Sequence, residues 1–107
     1  VTLKNNVTIG MGATMHQGIT IGSCAMVGMG AAVIENIPPF ATYVGTPAKK
    51  IKINEIKLER MGISKSLIKL IKDVIIEGHS LKKIKLSIKD KKYFKILEDW
   101  AKKSNIT

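Results

Sequence analysis

The chain has 107 residues, a formal net charge of +10 and a single cysteine, Cys24. That length allows one domain or two small pieces with a modest core. One cysteine excludes an internal disulfide and fits a reducing compartment, and the lack of an 18-residue apolar run excludes a membrane-spanning helix.

The first element is a repeat. Counting in sixes gives Leu3, Ile9, Met15, Ile21, Val27 and Val33, and four places later Val7, Ala13, Ile19, Ala25, Ala31 and Ile37. A helix would need apolar spacings of three and four, and a plain strand would need period two. Period six, with the first and fifth places inward, predicts short strands joined by sharp corners: the hexapeptide repeat of a parallel β-helix. The glycines with Asn5, Asn6 and Asn36 are the expected corner residues. Next comes ENIPPFATYVGTPAKKI, residues 35–51, where Pro38 and Pro39 are expected to end strand pairing and stop the solenoid.

Repeat and following segment together resemble the hexapeptide acyltransferases, whose coils form a left-handed parallel β-helix and whose exit segment carries a Pro-Pro pair and a G-x-P-A-K/R loop. Pro38, Pro39, Gly45, Pro47, Ala48 and Lys49 match that pattern. The resemblance implies three hexads per triangular coil, so residues 1–38 are expected to form about two coils and residues 39–53 an exit loop. Two coils are too few for a self-sufficient array. A homotrimer, further N-terminal coils, or both are therefore expected, the more so because the chain begins without methionine inside the repeat.

Residues 54–107 are predicted to be an α-helical tail. SKSLIKLIKDVIIEG (64–78) has Ser64 at the N-cap, Gly78 past the end and an apolar stripe of Leu67, Ile71, Val74 and Ile75. HSLKKIKLSIK (79–89) fits helix or strand, and helix is preferred because its neighbours are helical. Asp90 is expected to cap DKKYFKILEDWAKK, with Phe94, Leu97 and Ala101 on one face and Tyr93, Ile96 and Trp100 beside them. NEIKLERMGIS (54–64) is similar to the segment that opens the helical tail of the UDP-N-acetylglucosamine acyltransferases of that family, N-x-x-x-L-x-R-R-G-F-S. Asn54, Leu58, Arg60, Gly62 and Ser64 match, and Met61 stands where a second arginine is usual.

The site expectations follow. His16 comes one place after an inward residue, so its side chain is directed out of the prism. It is a candidate general base for a sugar hydroxyl or amine. The Met15-His16-Gln17 likeness to that enzyme's V-H-Q equally makes it a contact to the acceptor, with Gln17, Asn54 and Arg60 as further acceptor contacts. Gly22, Gly28 and Gly30 are expected to let a long thin ligand approach and to leave backbone N–H groups available, with Lys49 and Lys50 supplying charge for the phosphates of acetyl-CoA. Acetyl-CoA or an acylated carrier protein is the implied acyl donor, and a sugar or sugar nucleotide of bacterial surface-glycan or lipid A synthesis the implied acceptor. No permanently bound cofactor and no metal site is expected, and the expected compartment is the cytoplasm. Residues 51–107 carry 15 basic and 7 acidic residues. Two other readings therefore remain: a basic helical nucleic-acid-binding module and a non-catalytic β-helix scaffold. The single arginine argues against base reading, and no nucleic-acid partner is expected.

Overall fold

The computed structural model describes residues 1–81 and 84–103. The chain divides into two compact units, Val1–Asn54 and Glu55–Thr107.

In the first unit six two-residue strands follow one another: β1 (Thr2–Leu3), β2 (Thr8–Ile9), β3 (Thr14–Met15), β4 (Thr20–Ile21), β5 (Met26–Val27) and β6 (Ala32–Val33). They are short because a corner interrupts every hexad. Backbone φ is positive at Asn6 (59°), Gly12 (76°), Gly18 (80°), Cys24 (62°) and Gly30 (69°), one residue in six, which turns the chain through the left-handed region. Each strand pairs in parallel with the strand three further on. Thr2 faces Thr20, Thr8 faces Met26 and Thr14 faces Ala32, so the chain visits three sheets in turn and returns after eighteen residues. Pairing does not end at the prolines. Ile21 bridges Ile37, and β7 (Ala41–Gly45) lies parallel to β5 with Met26 opposite Thr42, so this turn is two residues shorter. β8 (Ala48–Ile53) then returns antiparallel to β7 across a turn with a cis Thr46–Pro47 bond. The exit loop expected over 39–53 is thus corrected to a β-hairpin. A Thr-Tyr-Val run has high strand propensity, and Pro38–Pro39 shorten the coil without leaving it.

Burial is graded along this unit. Ile21, Ala25 and Val27 are fully buried, and Ile19, Ala31, Val33 and Ile37 nearly so. Apart from Ile19 itself, their equivalents in the first coil are not: Leu3 is 52% exposed, and Val7, Ile9, Ala13 and Met15 are half-buried. The inward pattern is the same in both coils, but a layer is sealed only when another layer covers each of its faces.

The second unit has α1 (Glu55–Arg60), α2 (Lys65–Ile75) and α3 (Ile88–Lys103). Ser64 caps α2, its Oγ accepting the Leu67 N–H at 3.3 Å. Leu67, Ile71, Val74 and Ile75 are buried as their spacing predicts, together with Leu58, Leu97 and Ala101; Phe94 is only half-buried, like Tyr93, Ile96 and Trp100. Two expectations are corrected here. Residues 84–87 are not helical, and Lys82 and Lys83 of the preferred helix 79–89 lie outside the described residues. Asp90 is not the cap of α3. Ser87 is, its Oγ accepting the Asp90 N–H at 3.2 Å. The Asp90 carboxylate, 2% exposed, instead accepts from Ser64 N–H (3.2 Å) and Ser64 Oγ (2.5 Å), tying the start of α3 to the start of α2.

Candidate functional site

His16 follows Met15 on β3. Its backbone N–H donates to Val33 O at 2.8 Å, which fixes the residue on the β3–β6 sheet. Its side chain is exposed, as expected one place after an inward residue. Ring Nδ1 lies 3.4 Å from the carbonyl oxygen of Gln17. A carbonyl only accepts, so the tautomer that satisfies this contact carries its proton on Nδ1 and leaves Nε2 with a free lone pair. Gln17 is exposed in the turn before Gly18, and Ile34, next to His16 in the coil register, is 61% exposed. The outer face beside the imidazole therefore combines an acceptor nitrogen, an amide and an aliphatic side chain.

The glycines differ from expectation. At Gly22, an added Cβ would meet Pro39 N, Pro38 C (2.7 Å) and Pro39 Cα (2.7 Å); at Gly28 it would meet Val44 Cγ1 at 2.7 Å. The space their missing side chains leave is filled by the next rung of the coil. Their N–H groups are also engaged, Gly22 with Ile37 O (2.8 Å), Gly28 with Tyr43 O (2.9 Å) and Gly30 with Met11 O (3.0 Å). The expectation that these glycines leave donors available to a ligand is corrected: stacking uses them. Of these three, Gly30 alone keeps open space, with nothing within 4 Å of an added Cβ.

The β7–β8 hairpin lies beside that corner. Thr46 Oγ1 donates to Gly30 O at 3.4 Å, and Lys49 and Lys50 are exposed on β8, opposite Val44 and Tyr43. The structure thus brings Gly28, Gly30 and the lysine-bearing strand together, on a different sheet from His16. Asn54 closes the unit, its N–H donating to Phe40 O at 2.8 Å. Arg60 is exposed at the end of α1 in the other unit.

The sequence reading missed Tyr43 and Thr42. Tyr43 is 5% exposed, and its hydroxyl is pushed up to about 12, first by burial and then by the Glu35 charge. It stays a neutral donor. Thr42 Oγ1 is buried without a hydrogen-bond partner among the described residues. The available signal was the strand propensity of Thr42-Tyr43-Val44, outweighed by the prolines before it. Cys24 is buried and not a reactive surface thiol.

No protein-family model matches the chain. A serine acetyltransferase of Buchnera aphidicola is 52% identical over 50 residues, covering 47% of this chain and 19% of that protein. An acyl-[acyl-carrier-protein]–UDP-N-acetylglucosamine O-acyltransferase of Myxococcus xanthus is 38% identical over 73 residues, 68% of this chain and 28% of its own length. Among solved structures, a galactoside acetyltransferase in complex with coenzyme A matches with a TM-score of 0.51 at 33% identity, over 54% of this chain and 29% of that one. LpxA from Acinetobacter baumannii matches with a TM-score of 0.67 at 21% identity, over 97% of this chain and 40% of its own, a likeness of fold. The chain spans less than a third of the length of these curated relatives. Its homologues are hexapeptide-repeat acyltransferases, the family whose repeat and exit segment its own sequence resembles.

Proposed function

We propose that the protein transfers an acyl group from a thioester donor to a hydroxyl or amine of a sugar or sugar nucleotide, on a left-handed parallel β-helix. The observation that carries this reading is the eighteen-residue register of three parallel sheets, with the exposed imidazole of His16 on the outer side of the β3–β6 sheet. The coenzyme A complex of a related acetyltransferase supports acetyl-CoA as donor, and the Myxococcus relative supports an acyl carrier protein as the alternative.

In the proposed reaction the acceptor oxygen or nitrogen attacks the thioester carbonyl carbon. His16 Nε2 takes the acceptor's proton, the C–S bond breaks, and the proton passes to the leaving thiolate. Gln17 hydrogen-bonds the acceptor. Asn54 hydrogen-bonds the acceptor's polar groups, and Arg60, on the second unit, pairs with phosphate. Lys49 and Lys50, beside the open Gly30 corner, pair with donor phosphates. A homotrimer is supported by the exposure of Met11 (84%), Met29 (80%) and Ile34 (61%) on the outer face, and a cytoplasmic location by a sequence with a single cysteine, which allows no internal disulfide.

The test is steady-state kinetics of His16→Ala in the full-length protein. Loss of a general base lowers kcat by roughly 10²–10⁴-fold. Loss of a contact alone raises the acceptor's KM with kcat kept. Unchanged kcat and KM would remove His16 from the reaction.

A further inference from the structure

The outer face beside His16 carries one side chain that neither stacking nor the proposed steps account for. In the repeat, the place after the inward residue holds Lys4, Gly10, His16, Gly22, Gly28 and Ile34. Ile34 is the one large apolar residue in that series, and it is 61% exposed. The pairs Thr14–Ala32 and Met15–Val33, with the His16 N–H bonded to Val33 O at 2.8 Å, put it in line with His16 on the next rung. Side chains in line on parallel strands point the same way, and neighbouring strands lie about 4.8 Å apart. An aliphatic side chain thus stands beside the imidazole, whose Nε2 keeps a free lone pair.

Two ordinary explanations for Ile34 fail. It is not a core residue, since Ile21, Val27 and Val33 fill the interior and most of its own surface faces water. Strand propensity does not call for it, since threonine shares that preference without the apolar surface. β6 is the last strand of its sheet, so no further rung demands a glycine here as at Gly22 and Gly28; that permits a side chain without selecting an apolar one. The chemistry selects one. A general base with a free lone pair can deprotonate water as well as a sugar hydroxyl. Water in the acceptor's place would give its proton to Nε2 and its oxygen to the carbonyl carbon. The C–S bond would break, the proton would pass to the thiolate, and the products would be a carboxylic acid and a free thiol. Gln17, exposed next to His16, offers hydrogen bonds to a polar acceptor. Ile34 offers none, so a water held on its side of the imidazole loses a partner.

We propose that Ile34 is a specificity-determining residue that disfavours water as the acceptor, so that the bound thioester is transferred rather than hydrolysed. The proposal rests on the reading of His16 as the general base. The test compares Ile34→Thr with Ile34→Val in the full-length protein. The two replacements have nearly the same size and strand preference, and differ in a hydroxyl that can hold a water. Acetyl-CoA and an acylated carrier protein are each supplied with UDP-N-acetylglucosamine and with a galactoside, and free carboxylic acid and acylated acceptor are both measured. Ile34→Thr is expected to raise the ratio of hydrolysis to transfer by about five- to tenfold, the weight of one hydrogen bond. Ile34→Val is expected to keep that ratio within about twofold of wild type. His16→Ala is expected to lower both reactions. Equal ratios in Ile34→Thr and Ile34→Val, hydrolysis below detection in both included, would overturn the proposal, and the His16 reading would stand if His16→Ala still lowers transfer. A lower molar mass of Ile34→Thr in light scattering would assign Ile34 to a subunit contact and overturn it as well. If His16→Ala changes neither reaction, or wild type acylates neither acceptor, both are overturned.

Discussion

Replacing Gly22 with alanine tests whether coil stacking depends on absent side chains. The new Cβ would lie 2.7 Å from both Pro38 C and Pro39 Cα, and against Pro39 N. Carbon atoms in contact sit about 3.5–4.0 Å apart, so the rungs must separate by roughly 1 Å. Overpacking costs about 1–3 kcal/mol, and the upper end applies here because the obstructing atoms are backbone and cannot rotate aside. Gly30→Ala is the control. There φ is 69° and nothing lies within 4 Å of the added Cβ, so only the left-handed backbone penalty of about 1 kcal/mol remains. The expected gap between the variants is about 2 kcal/mol, or roughly 8–16 °C in Tm for a unit of this size. Urea unfolding followed by circular dichroism, with unchanged m-values, measures it. A Gly22→Ala protein as stable as Gly30→Ala would refute the stacking argument.

Asp90→Ala leaves the Ser64 N–H and hydroxyl without their charged partner and is expected to cost about 3 kcal/mol; Ser64→Ala also loses this partner, so in urea melts the double variant should cost clearly less than the sum of the two. Tyr43 titrates near 10 in the unfolded chain and at about 12 in the fold, so the fold favours its protonated form. Its contribution to stability is therefore full below pH 10 and declines as the pH rises towards about 12, which a late tyrosinate absorbance step, lost in Tyr43→Phe, would register.

The repeat was legible because the buried positions recur at a fixed spacing that neither helix nor ordinary strand shares. Four of the five corners from Asn6 to Gly30 were legible for a local reason, since glycine and asparagine tolerate positive φ. Cys24 was not: it turns at φ 62° where its propensity gives no signal, held by the register of its neighbours and by its N–H bond to Asn5 O at 2.9 Å. Asn36 was read as a corner, but its Oδ1 accepts the Thr20 N–H at 2.8 Å instead. Pro38–Pro39 are strong breakers locally, and only the parallel pairing of β7 with β5 shows that the coil continues past them. The roles of Gly22 and Gly28 likewise depend on which atoms the next rung places against them, which lies in tertiary packing. His16 was legible as an outward residue from the period alone.

The central claim, acyl transfer on this coil, is tested most directly by following label from acetyl-CoA or an acylated carrier protein into product with the full-length protein. Candidate acceptors are sugars and sugar nucleotides, with serine as the comparison that the Buchnera relative suggests. The account predicts labelled sugar or sugar nucleotide, formed together with an equal amount of free thiol, and a rate reduced in His16→Ala. Turnover confined to serine would contradict the acceptor class, and no transfer to any acceptor from either donor would contradict the assignment as an acyltransferase.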